Sequence, residues 1–234
     1  MTDYESIYRD ETERYDRLVS REDREGNILP AIERVRSLRG LRVVESGAGT
    51  GRLTRLVEPV AGDVFAFDRS DAMLRRARER AGAGRNGGAA YAAADHRALP
   101  VHGAAADLVL SGWSVSHLAT KEGPDPLGDV AAALAEFDRA IRPGGTTVLL
   151  ETLGTGAESP SPPENLSAYF RFLRDAGFRS FWIRTDYGFE SPAEAAELTR
   201  FFFGDAAAER IARAGSAIVP ECTGLFWRRR PAAS

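Results

Sequence analysis

Residues 43–51 read Val-Val-Glu-Ser-Gly-Ala-Gly-Thr-Gly, and this stretch decides the fold prediction because a glycine turn joins a strand to a helix. The surrounding apolar residues predict a strand over 41–45 and a helix over 52–57. Glycine at alternate positions lets the backbone turn tightly and lets a ligand approach without an intervening side chain. The helix N-terminus beside the turn adds free N–H groups and a partial positive charge. The stretch therefore predicts a ligand-binding loop.

The spacing of the glycines distinguishes two classes of ligand. A dinucleotide-binding loop carries the pattern G-x-G-x-x-G/A and cradles a pyrophosphate. Counted from Gly47, the third position of that pattern is Arg52, whereas the third glycine of this chain is Gly51. Glu45 also adds a carboxylate at the end of the strand, and a negative group there suits a cationic ligand better than a pyrophosphate.

Two further acids end the next two predicted strands. Asp68 ends the run Phe-Ala-Phe-Asp, and Asp95 ends Ala-Ala-Ala-Asp. The carboxyl ends of parallel strands are where open α/β sheets bind ligands. An acid at the first position can accept hydrogen bonds from both ribose hydroxyls, and one at the second can accept from an adenine amino group.

Taken together, these positions resemble the class I S-adenosylmethionine-dependent methyltransferases, and the resemblance covers about residues 40–151. It implies that S-adenosylmethionine, with S-adenosylhomocysteine as the product, lies with its methionine part on the glycine loop, its ribose on Asp68 and its adenine amine on Asp95. In this family an apolar side chain such as Met73 packs on the adenine. Glu45 is a mild departure, because the family more often carries aspartate there.

The predicted cofactor-binding residues extend from the N-terminal segment to the end of the fourth strand. They are Tyr15, Glu45, Gly47, Ala48, Gly49, Gly51, Asp68, Arg69, Met73, Asp95, His96, Ser111 and Trp113. Tyr15 is expected to reach the cofactor carboxylate, and His96 to line the adenine site. Trp113 is expected to pack on the cofactor, with a place in the core as the alternative.

Strands and helices alternate along most of the chain, which predicts an α/β fold. We expect a Rossmann-like, doubly wound sheet of seven mostly parallel strands with helices on both faces, preceded by an N-terminal helical lid. Strands are expected at 41–45, 63–68, 89–94, 106–111, 146–151, 178–185 and 221–227, and helices at 28–38, 52–57, 70–77, 127–141, 166–176, 192–203 and 206–214. One domain is expected, with the lid over 1–39, a cofactor-binding core over 40–151, and an acceptor-side insertion with the last strands over 152–234.

Local signals mark where several elements begin and end. Ser70 is a predicted N-cap, and Gly82 and Gly84 are predicted to stop the helix that follows it. Asn86-Gly87 predicts a turn. Pro143-Gly-Gly145 predicts a break between the long amphipathic helix and the fifth strand, and is similar to a common turn of the methyltransferase family.

Methyl transfer to a protic acceptor can use a base, and two residues after the fourth and fifth strands are candidates. His117 has an ordinary pKa suited to neutral pH and follows Trp113 by about one helical turn. Glu151 ends the fifth strand, where it would face the acceptor. A surface or core histidine and a salt-bridged or helix-capping glutamate are the structural alternatives.

The remaining aromatic residues predict an acceptor pocket with apolar walls. Tyr4, Tyr8 and Tyr15 lie on the N-terminal segment and could form the lid. Residues 186–189 and 201–203 add aromatic surface before the last strand, although aromatic side chains at helical spacing more often belong to a core.

The composition of the chain limits the kinds of molecule that it is expected to bind. The formal net charge is −3, which does not favour nucleic acid, and the arginines between residues 75 and 80 are expected to be solvated helix charges. Cys222 is the only cysteine, so we predict no internal disulfide and no metal site. No apolar run is long enough to span a bilayer and the N-terminus has no signal sequence, so a cytoplasmic protein without a membrane partner is expected. A homodimer is left open.

The sequence thus predicts a methyltransferase that moves a methyl group from S-adenosylmethionine to an O, N or C atom of a small-molecule acceptor. Two alternatives remain, namely an RNA or protein methyltransferase on the same fold, and a non-catalytic cofactor-binding subunit. No N/D-P-P-Y motif follows the fourth strand, which reads Ser-Gly-Trp-Ser at 111–114, and no basic domain is appended. The intact acids and glycines disfavour a non-catalytic copy.

Overall fold

The computed structural model describes residues 4–81 and 88–232, and the bounds of its elements follow. The helices are α1 (Tyr4–Asp10), α2 (Thr12–Val19), α3 (Ile28–Val35), α4 (Arg52–Val57), α5 (Asp71–Arg80), α6 (Ser116–Thr120), α7 (Pro126–Ala140), α8 (Ser167–Asp175), α9 (Pro192–Phe203) and α10 (Asp205–Ala214), with a 3-10 turn at Glu164–Leu166. The strands are β1 (Arg42–Ser46), β2 (Asp63–Asp68), β3 (Ala90–Ala93), β4 (Ala106–Gly112), β5 (Ile141–Thr155), β6 (Arg179–Arg184), β7 (Tyr187–Gly188), β8 (Ile218–Val219) and β9 (Glu221–Arg229).

Seven strands form one sheet in the order β3-β2-β1-β4-β5-β9-β6. The first five pair in parallel, and β9 runs antiparallel to both β5 and β6. The chain leaves β1 towards β2 on one side and returns to β4 on the other. Such a reversal opens a crevice at the carboxyl ends of the strands, where ligands of open α/β sheets bind. The predicted sheet is therefore confirmed.

Helices cover both faces of the sheet, as predicted. On one face, α7 and α8 pack their apolar sides, including Phe137 and Leu173, against the sheet residues Val109 and Leu149. On the other face, α3 and α4 bury their apolar residues against the sheet. Because β1, β4 and β5 are covered on both faces, the residues along their central stretches are almost continuously buried.

A smaller apolar cluster lies beside the sheet and joins the N-terminal segment to the late helices. Leu18 of α2 packs with Leu198 of α9, Ile211 of α10 and the aromatic residues Tyr187 and Phe189. The cluster fixes α2, α9 and α10 relative to one another, and their residues form part of the cavity described below.

The N-terminal segment differs from the prediction in two ways. The helical region over 1–39 is divided into three helices, with the last ending at Val35 rather than residue 38. Arg76 is not simply a solvated charge, since its Nε donates to the Oδ2 of Asp16 at 3.0 Å and the Asp16 side chain is buried. This ion pair ties α2 to α5 and explains how a charged helix packs closely over the sheet edge.

The predicted helix caps and turns agree with the structure only in part. Ser70 caps α5 as predicted, because its Oγ accepts from the N–H of Met73 at 3.3 Å. Gly82, Gly84 and the Asn86-Gly87 turn lie outside the described residues. The Pro143-Gly-Gly turn lies within β5, because α7 ends at Ala140 and β5 already begins at Ile141, which pairs with Ala106 before a shift of register. The predicted start of β5 at residue 146 is therefore wrong. The strand pairs with β4 on both sides of the irregular turn, so it begins five residues earlier.

Candidate active site

The glycine loop folds across the end of β2. The N–H groups of Gly47 and Ala48 both donate to the carbonyl of Phe67, at 2.7 and 2.9 Å. Gly47, Gly49 and Gly51 have φ angles of +78°, +55° and +79°, which glycine alone adopts without strain. A Cβ at Gly49 would meet no atom within 4 Å, so the loop leaves open space on that side.

Replacing Gly47 with alanine is expected to destabilise the fold more than an ordinary positive-φ glycine does. A Cβ there would lie 2.0 Å from Ser114 Oγ and 2.8 Å from His96 Cε1. Gly40→Ala is the matched control, because Gly40 has a φ of +70° and nothing within 4 Å of a Cβ. We expect Gly47→Ala to lower the unfolding free energy by about 2 kcal/mol more than the control. Equal midpoints in denaturant unfolding of the two variants would contradict the packing described.

Asp68, at the end of β2 beside the crevice, holds the glycine loop in place through hydrogen bonds to the backbone. Its Oδ2 accepts from the N–H of Gly49 at 2.8 Å, and its Oδ1 accepts from the N–H of Ser70 at 2.8 Å. Burial raises the pKa of Asp68, and these backbone donors oppose that shift. The carboxylate keeps further lone pairs, since each oxygen offers two. It can therefore hold the loop and still accept from a bound ligand.

Glu45 lies beneath the loop with only 1 % of its surface exposed. Thr54 Oγ1 donates to its Oε2 at 2.5 Å. Burial raises the pKa of Glu45 to about 8, which this hydrogen bond partly opposes. A cation bound nearby would favour the ionised form. A positively charged ligand at the loop would therefore shift Glu45 towards its ionised form.

The acid after β3 is held in a tight ion pair. Arg97 donates to Asp95 through Nε at 2.8 Å, through Nη2 at 3.0 Å and through its backbone N–H at 2.9 Å. The hydrogen bonds from Arg97 lower the pKa of Asp95 to about 2, so it stays ionised. The sequence signal did not reveal Arg97, which here fixes the orientation of the predicted adenine-binding acid.

His96 connects the glycine loop to the segment after β4. Its Nδ1 lies 2.7 Å from Ser46 Oγ, and its Nε2 lies 3.0 Å from Ser114 Oγ. Burial lowers the pKa of His96 to about 4, so the ring is neutral at physiological pH. The closeness of Ser114 and His96 explains why Gly47 must lack a side chain.

The other predicted cofactor residues are divided between the surface and the interior. Arg69 is exposed, and its charge lowers the pKa values of both His96 and His117, so it lies near both rings. Met73 and Ser111 are buried. The hydroxyl of Ser111 has no hydrogen-bond partner within residues 4–81 and 88–232.

A cavity of about 670 Å³ opens above the carboxyl ends of β4 and β5. It brings together four predicted residues from distant parts of the chain, Tyr15, Trp113, His117 and Glu151. Its walls also include Tyr8 from α1 and residues of the late helices, among them Phe202, Phe203, Ala207 and Arg210. The side chain of Tyr4 lies outside the described part of the chain. The N-terminal helices and the segment after β5 thus enclose the space in which an acceptor could lie.

Glu151 lines this cavity and is anchored by one of its two oxygens. Tyr169 donates its hydroxyl to Oε1 at 2.8 Å, and the N–H of Ser116 donates to the same oxygen at 3.2 Å. Oε2 has no partner in the described part of the chain, although only 1 % of Glu151 is exposed. Burial raises the pKa of Glu151 to about 7, against the lowering effect of Ser116 and Tyr169. A carboxyl group with these properties can exchange a proton near neutral pH.

His117 faces the same cavity but is engaged differently. Its Nε2 lies 3.1 Å from the hydroxyl of Tyr8. Burial and the charge of Arg69 lower the pKa of His117 to about 4, so the ring is neutral and a weak base. The geometry therefore favours Glu151 over His117 as a base, whereas the sequence left them equal.

Several cavity residues were missed by the sequence interpretation. Arg52 stacks its guanidinium over Trp113, 3.8 Å from the ring centroid, and forms an ion pair with Glu22. Trp113 itself has a φ of +49°, an unusual conformation that turns its ring towards Arg52. Glu221, which lines the cavity, and Tyr169, which binds Glu151 from the core, come from segments far along the chain, and no local motif marks them.

The comparisons with known proteins agree with this geometry. Residues 44–149 match a family model described as a methyltransferase domain. The malonyl-acyl-carrier-protein O-methyltransferase of Pseudescherichia vulneris is 33% identical over 115 residues, which cover 49% of this chain and 40% of the relative. The enzyme of the same name from Pectobacterium atrosepticum is 31% identical over 145 residues, covering 62% of this chain and 51% of the relative. The chain spans about half the length of the curated relatives it matches.

Solved structures share the fold. An S-adenosylmethionine-dependent methyltransferase from Mesorhizobium loti is 22% identical, with a TM-score of 0.52 over 86% of this chain and 96% of that one. This likeness shows a shared fold, and residues 44–149 are similar to a methyltransferase domain, in line with the resemblance that the sequence predicts. In the two described ranges, no helix has both the length and the apolar character needed to cross a bilayer.

Proposed function

We propose that this chain, with its methyltransferase-domain match over residues 44–149, transfers a methyl group from S-adenosylmethionine to an oxygen or nitrogen atom of a small-molecule acceptor. The observation that carries the proposal is the cavity at the carboxyl ends of β4 and β5, which is lined by buried Glu151, a residue with one carboxyl oxygen that has no hydrogen-bond partner in the described part of the chain. Orientation of two reactants in such an enclosed site contributes much of the rate enhancement in group transfer, about 7–11 kcal/mol in favourable cases.

The donor fits the residues of the neighbouring crevice. The open space at Gly49 leaves room for a ligand against the loop, and Asp68 has lone pairs left for two ribose hydroxyls. We assign the methionine part to the loop above Glu45 and the adenine amine to Asp95. Tyr15 and Trp113, which line the cavity, would contact the donor where the two spaces meet. When bound, the donor supplies a methyl group on a sulfonium sulfur.

Glu151 is assigned as the base. A hydroxyl or amine acceptor loses a proton as it is methylated, and Oε2 of Glu151 would receive it. Tyr169 and Ser116 hold the carboxyl group in place through its other oxygen, so the receiving oxygen has a fixed direction. His117, joined to Tyr8, would orient the acceptor by hydrogen bonding.

A carboxylate acceptor on a carrier protein is a second candidate, since the curated relatives are named for malonyl-acyl-carrier protein. The charges of the cavity favour a neutral or cationic acceptor instead. The cavity is lined by the acids Glu151, Glu22 and Glu221 and by two arginines, of which Arg52 is already paired with Glu22 and Arg210 is exposed. A carboxylate ligand beside Glu151 and Glu221 would require both to stay protonated, whereas a cationic ligand would favour their ionised forms.

We also propose one domain, with the lid over 1–39, because β6 and β9 complete the same sheet as β1. RNA or protein as acceptor is disfavoured by the enclosed, acid-lined cavity.

Turnover with a panel of metabolites would test the function. The panel should contain matched amines, alcohols and carboxylic acids, with S-adenosylhomocysteine release as the readout. We expect release with at least one amine or alcohol, and none when Glu151 is replaced by glutamine. Release with carboxylic acids alone would favour the carrier-protein alternative. No release with any acceptor, despite bound S-adenosylmethionine, would favour a non-catalytic subunit.

A further inference from the structure

A second buried carboxyl group lines the cavity at some distance from Glu151. Glu221 is the first residue of β9, and 1 % of its surface is exposed. Gly224 pairs with Glu151, so Glu221 lies three positions along β9 from that pair. At the rise of an antiparallel strand, this places the two glutamates about 10 Å apart along the strand direction, and the odd offset puts their side chains on opposite faces of the sheet at the end that the cavity covers.

Glu221 is anchored in the same way as Glu151. Thr152 Oγ1 donates to its Oε1 at 2.7 Å. Oε2 is buried and has no hydrogen-bond partner within the described ranges. Leaving such an oxygen unpaired carries a desolvation penalty, and native proteins rarely accept that penalty without a reason. The arrangement is that of an acceptor awaiting a donor.

The charged side chains around Glu221 are paired with one another. Arg52 forms an ion pair with Glu22, whose Oε1 accepts from Thr185 at 3.2 Å. Asp186 is bound through both oxygens by Arg184, at 2.8 Å each, and also accepts the N–H of Glu221. In each ion pair the arginine neutralises its own acid. Glu221 is the neighbouring acid that has no ion-pair partner in the described part of the chain.

Burial and the nearby charge of Glu22 raise the pKa of Glu221 to about 8. The group therefore takes up a proton when the cavity holds no ligand. A ligand that brings its own positive charge would replace that proton. Because Glu221 lines the cavity assigned to the acceptor, we take this ligand to be the methyl acceptor.

We infer that Glu221 binds a protonated amino group of the methyl acceptor, about 10 Å along the strand direction from the group that Glu151 deprotonates. The inference rests on the proposed function, because it assigns a binding contact within the same acceptor cavity. It describes an acceptor with two polar ends, one reacting and one binding. The aromatic side chains of Tyr15, Phe202 and Phe203 would pack on the apolar part between them.

Three probes of equal shape test the inference. They are 2-phenylethylamine, 2-phenylethanol and phenylacetate, which carry an ammonium, a hydroxyl and a carboxylate on one frame. Binding is measured by calorimetry on protein saturated with S-adenosylhomocysteine. We expect the amine to bind at least about tenfold more tightly than the alcohol, and the carboxylate most weakly. An alcohol that binds as tightly as the amine, a preference for the carboxylate, or no binding of the amine would overturn the inference.

Glu221→Gln separates this contact from general charge attraction. The variant keeps the size of the side chain and an oxygen for Thr152 but removes the acidic oxygen. We expect it to abolish the preference for the amine, whereas Glu197→Gln, at an exposed position of α9, retains it. A preference that persists in folded Glu221→Gln would overturn the inference, and the wild-type ranking decides alone if the variant does not fold. Absence of S-adenosylhomocysteine binding to the wild-type protein would instead contradict the proposed function.

Discussion

Asp68→Ala is expected to weaken S-adenosylhomocysteine binding at least about a hundredfold. The change removes the proposed acceptor of both ribose hydroxyls and the anchor of the Gly49 N–H, which lies 2.8 Å from the carboxylate. Hydrogen bonds to charged groups contribute about 1.5–3 kcal/mol each, and a hundredfold loss corresponds to about 2.7 kcal/mol. Isothermal titration calorimetry with purified, folded variants measures the effect.

Asp63→Ala is the matched control for this experiment. Asp63 begins the same strand at the opposite edge of the sheet, and its side chain is 60% exposed. Its removal should leave the affinity within about twofold of wild type, since surface substitutions away from a site have small effects. Similar affinities for Asp68→Ala and wild type would remove the ribose assignment.

Glu151→Gln is expected to lower kcat by about a hundredfold to ten-thousandfold, the usual contribution of a positioned base. The affinity for S-adenosylhomocysteine should stay nearly unchanged, because Glu151 lines the acceptor cavity rather than the glycine loop. Glutamine retains the oxygen that Tyr169 and Ser116 bind, so the geometry should be preserved. The measurement is steady-state turnover with an acceptor from the metabolite panel, and Glu158→Gln on the exposed loop after β5 is the control.

The pH profile distinguishes Glu151 from His117. Glu151 must lose its proton to act as a base, so kcat should rise as the pH increases through about 7. His117 has a pKa of about 4 and stays neutral across that range, so a histidine base would give a flat profile there. The rise should disappear in Glu151→Gln. A flat wild-type profile together with full activity of this variant would contradict the assignment, provided that methyl transfer limits the rate.

Local sequence signals were sufficient to predict the sheet and the glycine loop. The pattern from Val43 to Gly51 requires positive φ angles that only glycine adopts easily, and the apolar strands allow few other folds. Asp68 and Asp95 follow directly from the strands that they end. These features depend on neighbours in the sequence, and for this reason they were predictable.

The cavity was predicted only in outline because its chemistry depends on contacts between distant residues. Tyr169 reaches Glu151 from α8, and Glu221 enters from the last strand, through pairing that no local pattern encodes. The sequence could not rank His117 against Glu151 either. Their pKa values are set by burial and by partners such as Tyr169, and burial shifts an acid and an imidazole in opposite directions.

The most direct test of the account is a crystal structure of the protein with S-adenosylhomocysteine. We predict that the ribose hydroxyls will donate to Asp68, that the adenine will lie beside Met73 with its amine at Asp95, and that the homocysteine sulfur will face the cavity that contains Glu151. A nucleoside bound elsewhere, or a sulfur atom directed away from Glu151, would contradict the proposed site.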